Sequence, residues 1–514
     1  MKLSTTILQK IDSRNVIVPN EELLKFPEKV LQFGTGILLR GLPDYFIDKA
    51  NRKGIFNGRV VMVKSTNRGD ASSFYKQDGL FTLCVRGIED GHPIEENIIN
   101  SSISRVLNAN TEWLEILKSA HIPDLGIIIS NTTEVGISLV KEDINLQPPV
   151  SYPGKLLGFL FERFKAFEGS EQSGSIIIPT ELIPDNGKKL QSILTELAHF
   201  NKLPAKFIAW LGDCNHFCNS LVDRIVTGKP EERIKKSIES ELGYDDDLMT
   251  VCEVYRLWAI EGNAAVKEKL SFAKADEGVK IEPNIELYRE LKLRILNGTH
   301  TLSCGVAFLS GIDTVREAME DEVMGKYIAD LMNNEIGISL PIPIDSNTIN
   351  SYISLVRDRF RNPHINHYWK NITLNYTSKI SLRCIPLLLN YYRKTGEIPE
   401  MFSLGFSAYL FFMKADKKIN NGYYGTFNGQ LYLIDDEKAG KYYDLWSELP
   451  VDKLVHHVLT DKTTWGEDLS GVAGFYDSVV DKLNSIINVG IKATLKKINT
   501  KKMYYESEGN ESAS

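Results

Sequence analysis

Two runs of three isoleucines, Ile127-Ile128-Ile129 and Ile176-Ile177-Ile178, constrain this chain more than any other feature. β-Branched side chains are stiff at χ1 and favour strands. Alternate residues of a strand point to opposite faces, so an unbroken apolar run must be covered on both sides. That is the situation of an inner strand in a parallel sheet. Gly126 and Ser130 frame the first run, and Ser175 opens the second. Between them, Lys155 to Phe167 carries an amphipathic helical pattern. Val30-Leu31-Gln32-Phe33 and Arg59–Val63 read as two more buried strands, separated by a helix from about Leu38 to Ala50, and Phe81 to Val85 as another short strand. Strands alternating with helices predict βαβ units and an α/β domain with a parallel sheet.

After residue 285 the strand signal fades and helical patterns take over: Glu286–Asn297, Thr314–Asn333, Asn347–Phe360, Thr377–Lys394, Ser403–Lys414 and Gly471–Ala493. Thr314 with Glu317 has the spacing of a capping box, in which each side chain satisfies an orphan amide at the helix start. The expected organisation is therefore a domain over 1–285, a largely α-helical domain over 286–500, and a tail over 501–514 too poor in aliphatic residues to order itself.

Composition narrows the function classes. With 43% apolar and 25% charged residues, the 514-residue chain has the make-up of a globular protein. Its net charge of −7 gives no basic surface for nucleic acid or anionic membrane, so a nucleic-acid or membrane partner is not expected. An anionic ligand would need a few local cations. Six cysteines are too sparse for a disulfide framework. Only Cys214 and Cys218 are close, and with His216 they fall short of a structural zinc set, so no metal is expected. Gln9, Lys10 and Asp12 interrupt any leader-like apolar stretch, and no run is long enough to span a bilayer. A reducing cytoplasm is the expected compartment.

The first chemical signal directly follows the first strand: Gly34-Thr35-Gly36-Ile37-Leu38-Leu39-Arg40-Gly41. Glycines there let the backbone turn tightly and approach a pyrophosphate held at a helix N-terminus. The usual third glycine is replaced by Leu39, with Gly41 two residues later, and a plain strand-to-helix turn fits the same residues. The second strand ends at Lys64-Ser65-Thr66, without the acidic residue that often holds the ribose hydroxyls of NAD. Lys64 faces either a 2′-phosphate or solvent.

The second signal runs from Glu286 to His300. At about 100° per residue, Asn297 falls about 140° and His300 about 80° from Lys292, one sector if the helix persists past Gly298. A desolvated lysine can exchange a proton with an alcohol or carbonyl. An asparagine can donate to a developing alkoxide, and a histidine can hydrogen-bond the reacting hydroxyl. The same residues also fit an exposed lysine, a capping asparagine and a satisfied core histidine. Two further clusters stand out: Leu221-Val222-Asp223-Arg224-Ile225, which also fits a surface pair, and Arg357-Asp358-Arg359-Phe360-Arg361-Asn362-Pro363-His364-Ile365. The latter, with Lys379 and Arg383, makes a cationic zone suited to a carboxylate or phosphate, or a solvated helix end.

Taken together, these blocks resemble the mannitol dehydrogenase family of polyol-specific long-chain dehydrogenases. Lys292, Asn297 and His300 have the spacing of its catalytic signature, Leu221 to Ile225 of a second signature, and Gln32-Phe33-Gly34-Thr35-Gly36 with Leu39-Arg40 of its cofactor loop. Ser130-Asn131-Thr132-Thr133-Glu134 with Gly136, and Phe360, Asn362, Pro363 and Ile365, match further blocks in the same order, over roughly residues 28 to 490. Pro179-Thr180-Glu181-Leu182-Ile183 with Asn186-Gly187 is similar to the branch that acts on sugar acids. Mannitol-type members carry an acid followed by asparagine where this chain has Glu181-Leu182, which leaves Asn186 as the substitute for that asparagine.

The resemblance implies a Rossmann-like N-terminal domain, a helical C-terminal domain and metal-independent, NAD-dependent hydride transfer. It assigns Lys292, Asn297 and His300 to catalysis, and Gln32, Phe33, Gly34, Thr35, Gly36, Ile37, Leu38, Leu39, Arg40, Gly41 and Asp223 to the cofactor. The implied substrates are small hexuronates and aldonates, D-tagaturonate and D-altronate, within galacturonate breakdown. Lys379, Arg359 and Arg383 are the candidates for the carboxylate, in that order. Fructuronate/mannonate and mannitol/fructose are the competing substrate pairs. A catalytically silent NAD-binding protein is the competing class, but it has no need of Lys292, Asn297 and His300 together.

Overall fold

The computed structural model describes residues 1–65, 71–132 and 136–498. Thr66, the Thr133-Glu134 pair and the 501–514 tail lie outside the described residues. The chain divides into two compact units, Met1–Ile285 and a second that begins at Glu286.

In the first unit the strands run β1 Glu28–Phe33, β2 Arg59–Lys64, β3 Phe81–Glu89, β4 His92–Asn100, β5 Ile103–Asn108, β6 Ile127–Ser130, β7 Ile176–Pro179 and β8 His216–Phe217. A six-stranded sheet has the order β5-β2-β1-β6-β7-β8, every neighbouring pair parallel. Counting only its own strands, that is 3-2-1-4-5-6, the order of a Rossmann-like doubly wound sheet. The isoleucine runs are two of its inner strands, β6 and β7. Ile127, Ile129, Ile176 and Ile178 enter one apolar core, while Ile128 and Ile177 enter the other, so both faces are covered. Each such side chain contributes about 1.5–3 kcal/mol of burial. The helix Tyr152–Ala166 covers the second face, with Leu156, Leu157, Phe159 and Leu160 in its core.

Some elements differ from the sequence reading. The helix expected from about Leu38 to Ala50 is two, Ile37–Gly41 and Pro43–Arg52. Pro43 lacks an amide hydrogen and bars the preceding residue from helical angles, and Leu42 sits at φ −133°, ψ −77°. The strand at Phe81 lies outside the parallel sheet. It runs on to Glu89 and pairs antiparallel with β4 through a turn at Asp90-Gly91, both with positive φ. With β10 Val226–Gly228 and β11 Thr250–Glu253 it forms a sheet of order β10-β11-β3-β4. β9 Ser220–Asp223, β12 Leu257–Glu261 and β13 Val279–Glu282 form a third sheet.

The second unit has one continuous apolar core. Its central helices, Asn297–Leu309 and Glu400–Phe412, are buried nearly all round. They approach closely at Gly405, where a Cβ would stand 2.6 Å from the Leu302 carbonyl oxygen. The Glu335 carboxylate accepts the Met401 and Phe402 amides at 2.7 and 2.8 Å, which satisfies the first turn of the second helix. The capping box at Thr314 and Glu317 is formed, but the helix expected over Thr314–Asn333 breaks at Asp321, whose side chain caps a new helix through the Met324 amide. Strands Lys417–Ile419, Gly422–Phe427 and Gln430–Leu433 add an antiparallel sheet among the helices.

Candidate active site

In the first unit the glycine loop leaves β1 where the strand order reverses. The Gly34 amide donates to the Val63 carbonyl at 3.0 Å, and the Asn131 amide to the Phe33 carbonyl at 3.1 Å, so the loop is pinned to the ends of β2 and β6. Gly34 has φ +132°, and a Cβ there would meet the Asn131 carbonyl oxygen at 3.0 Å. Gly36 caps the helix Ile37–Gly41 in an extended conformation, with no side chain over the first amides and nothing within 4 Å of an added Cβ.

The residues assigned to this loop separate into two groups. Gly34, Thr35, Gly36, Ile37 and Leu38 reach solvent, and Gln32, Phe33, Leu39, Arg40 and Gly41 do not. Phe33 packs edge-on against Tyr152. Gln32 donates to Asp44 Oδ2 at 3.2 Å, and burial pushes the Asp44 carboxyl up to about 7. The Arg40 guanidinium turns inward: Nη1 donates to the Leu248 carbonyl and Thr250 Oγ1, and the group lies over Phe74 and Phe81. An added Cβ at Gly41 would stand 2.7 Å from Val226, so this glycine serves close packing against β10. Asp223 ends β9 and is 6% exposed. Arg224, equally buried, donates to the carbonyls of Gly41 and Glu253, so Asp223 and Arg224 are no surface pair. Lys64 is 7% exposed, not on solvent.

Asn186 corrects an expectation. Its Nδ2 donates to the carbonyls of Pro179, Glu181 and Ser220, each at 3.0 Å, and it is 1% exposed. An amide spent on three carbonyls has no donor left for a substrate oxygen. Glu181 accepts Ser130 Oγ and the amide and hydroxyl of Thr132, and burial raises its carboxyl above the ordinary range.

In the second unit the helix persists from Glu286 through His300, by a route the sequence did not reveal. Residues Leu291–Leu296 form a π-helical turn between the α-helical segments Glu286–Glu290 and Asn297–Leu309. The Asn297 amide donates to the Lys292 carbonyl, an i→i+5 bond. That wider turn sets Asn297 one turn above Lys292, closer in sector than α-helical spacing allows. Both side chains are half-buried, and His300 is 8% exposed.

His300 is the centre of this site. Its ring stacks on Phe360 with centroids 4.4 Å apart, and His367 and Trp369 meet it nearly perpendicular. Its Nε2 is buried without a hydrogen-bond partner, a costly state that an incoming oxygen would relieve. Burial first, then the nearby His367, Arg359, Arg383 and Lys379, hold the imidazole well below its ordinary range, so it is neutral at physiological pH. All three predicted cations are thus near enough to the predicted catalytic histidine to act on its imidazole. Lys379 donates to the Ile372 carbonyl at 2.8 Å, and Arg383 to Thr301 Oγ1 at 3.2 Å. Burial lowers both, and Arg383 adds to the effect on Lys379. A second π turn, Ile380–Cys384, carries Arg383. His367 was absent from the sequence reading; its only signal is its place just after the Phe360–Ile365 block. Among the described residues no group of three or more His, Cys, Asp or Glu is placed to hold a metal, and no helix is long and apolar enough to cross a membrane.

This fold and these residues place the chain in the mannitol dehydrogenase family, to which it belongs: the mannitol dehydrogenase Rossmann domain matches residues 28–274 and the mannitol dehydrogenase C-terminal domain residues 284–487. The altronate oxidoreductase of Bacillus subtilis (strain 168) is 38% identical over 475 residues, covering 92% of this chain and 95% of the relative. That of Enterobacter sp. (strain 638) is 36% identical, covering 92% and 97%. Among solved structures, the Pseudomonas fluorescens mannitol 2-dehydrogenase ternary complex with NAD and D-mannitol aligns with a TM-score of 0.69 at 23% identity, covering 98% of this chain and 100% of that one. A substrate-free D-sorbitol dehydrogenase aligns at 0.73 and 19%, covering 96% and 100%. These two likenesses concern the fold.

Proposed function

We propose that this chain is an NAD-dependent altronate oxidoreductase, or tagaturonate reductase, catalysing D-tagaturonate + NADH + H⁺ ⇌ D-altronate + NAD⁺. The observation that carries the reading is that Arg359, Lys379 and Arg383 all lie close enough to act on His300, on the helix that bears Lys292 and Asn297. A neutral polyol has no use for three partly desolvated cations, whereas a uronate carboxylate does. The altronate oxidoreductases, matched over nine-tenths of their length, support the same reading.

The glycine loop fits a dinucleotide: no Cβ is tolerated at Gly34, and the space at Gly36 is open. When bound, NAD(H) supplies or accepts the hydride. Gly34 to Leu38 would line the pyrophosphate, while Gln32, Phe33, Leu39, Arg40, Gly41 and Asp223 would hold the loop in shape. In the reducing direction Lys292 gives its proton to the new hydroxyl oxygen. Asn297 donates to the same oxygen, and neutral His300 orients it through Nε2. Lys379, Arg359 and Arg383 bind the carboxylate, Lys379 and Arg383 each retaining N–H groups beyond those already engaged. The reaction belongs to hexuronate breakdown in the cytoplasm.

The test is NADH oxidation by purified protein with D-tagaturonate, D-fructuronate and D-fructose in separate reactions. D-Tagaturonate should give the highest kcat/KM, and D-fructose, which lacks the carboxylate, should fall at least about tenfold lower. A preference for D-fructuronate or D-fructose would overturn the assignment. NADPH in place of NADH should lower kcat/KM.

A further inference from the structure

His300 has three aromatic neighbours, and the reaction as assigned gives one of them, His367, nothing to do. Phe360 lies flat on the His300 imidazole, with planes 10° apart. His367 and Trp369 stand at 78° and 80° to it, with centroids 4.8 and 6.0 Å away. One stacked face and two perpendicular rings fix the plane of an imidazole whose Nε2 has no hydrogen bond of its own. Trp369 has a structural task, since its Nε1 donates to the Thr314 carbonyl. His367 differs: among the described residues no side-chain hydrogen bond holds its ring, and the backbone places it. The Val315 amide donates to the His367 carbonyl at 2.9 Å, and the His367 amide to the Ile365 carbonyl at 3.1 Å.

The residue type suits the location. Arg359, Lys379 and Arg383 all act on this pocket, so another cation beside His300 would be repelled, and a carboxylate would take the cations away from the substrate. Burial and Arg359 hold the His367 imidazole below its ordinary range, so it stays an uncharged flat ring among positive groups.

We propose that His367 is a positioning residue: its ring holds the His300 imidazole in the plane that aims Nε2 at the sugar oxygen, without itself touching substrate. The proposal rests on the role given to His300 above.

A double-mutant cycle tests it, run on whichever ketose the wild-type protein reduces fastest, so that a wrong substrate assignment does not decide the outcome. The variants are His367→Ala, His300→Gln, the pair together, and His367→Phe. His367→Ala should lower kcat about tenfold and leave the KM for NADH unchanged, because a misaimed group costs rate, not cofactor binding. In the His300→Gln background the same change should cost no further kcat. His367→Phe, which restores a flat ring, should recover most of the loss. Unchanged kcat in His367→Ala, or losses that multiply in the double variant, would overturn the proposal. If His367→Ala does not fold, His367→Leu replaces it: leucine fills the volume without a ring edge. A His367→Leu kcat equal to that of His367→Phe would then be the overturning result.

Discussion

A proton on His300 would share a buried pocket with Arg359, Arg383 and Lys379, and the folded protein therefore resists it. In the unfolded chain the same imidazole titrates near its ordinary value of about 6.5. Below that pH the unfolded state takes up a proton that the folded state refuses, so stability falls as pH drops and is fully retained above it. His367 is shifted in the same direction. His300→Gln should therefore flatten the decline in Tm between neutral and mildly acidic pH, with His367 leaving a residual slope. Thermal melts across that range check this, and an unchanged slope would show that His300 titrates normally. At this scale the sequence was informative where residues recur at a spacing. Lys292, Asn297 and His300 were read from the sequence as one helical group, and the structure places them on one continuous helix, with Arg359, Arg383 and Lys379 near enough to His300 to act on its imidazole. Isolated residues were not legible. The ring of His367 packs on His300, which lies far from it in the chain, and Asn186 looked like a donor because nothing in the spacing shows that its amide is spent on the carbonyls of Pro179, Glu181 and the distant Ser220.

The decisive element is the π turn Leu291–Leu296. It amounts to one extra residue in an α-helix, and it sets the phase between Lys292 and Asn297. Inserting an alanine after Leu293 should place Lys292 six residues before Asn297, turn it out of the shared sector, and lower turnover at least about 10²-fold. NADH affinity should be retained, since Gly34 to Leu38 belong to the other unit. Full activity in the insertion variant would show that the phase between Lys292 and Asn297 does not matter to the chemistry. A uniform advance of about 100° per residue cannot reveal such a turn. Other elements were legible but unread. Asp90-Gly91 and Asn428-Gly429 close two-residue hairpins with both φ values positive, the strongest local hairpin signal, and each falls where a strand pair went unassigned. Pro43 likewise marks the break in the first helix. The isoleucine runs succeeded because coverage on both faces leaves few alternatives.

At the scale of the molecule, the chain has two units with separate cores, and the proposed function assigns the dinucleotide to the first and the proton and carboxylate to the second. The division predicts reciprocal losses. Gly34→Ala puts a Cβ 3.0 Å from the Asn131 carbonyl oxygen at φ +132°, a strain of about 1–3 kcal/mol, and should weaken NADH binding about tenfold. Lys292→Ala should do the opposite, and it addresses the central claim most directly. The measurement is a single-turnover experiment on Lys292→Ala that yields both the NADH Kd and the rate of NADH oxidation by D-tagaturonate. The account predicts an unchanged Kd and a rate lowered by about 10²-fold or more, the span for loss of a general acid. Oxidation at close to the wild-type rate would contradict it, because another group would then be carrying the proton.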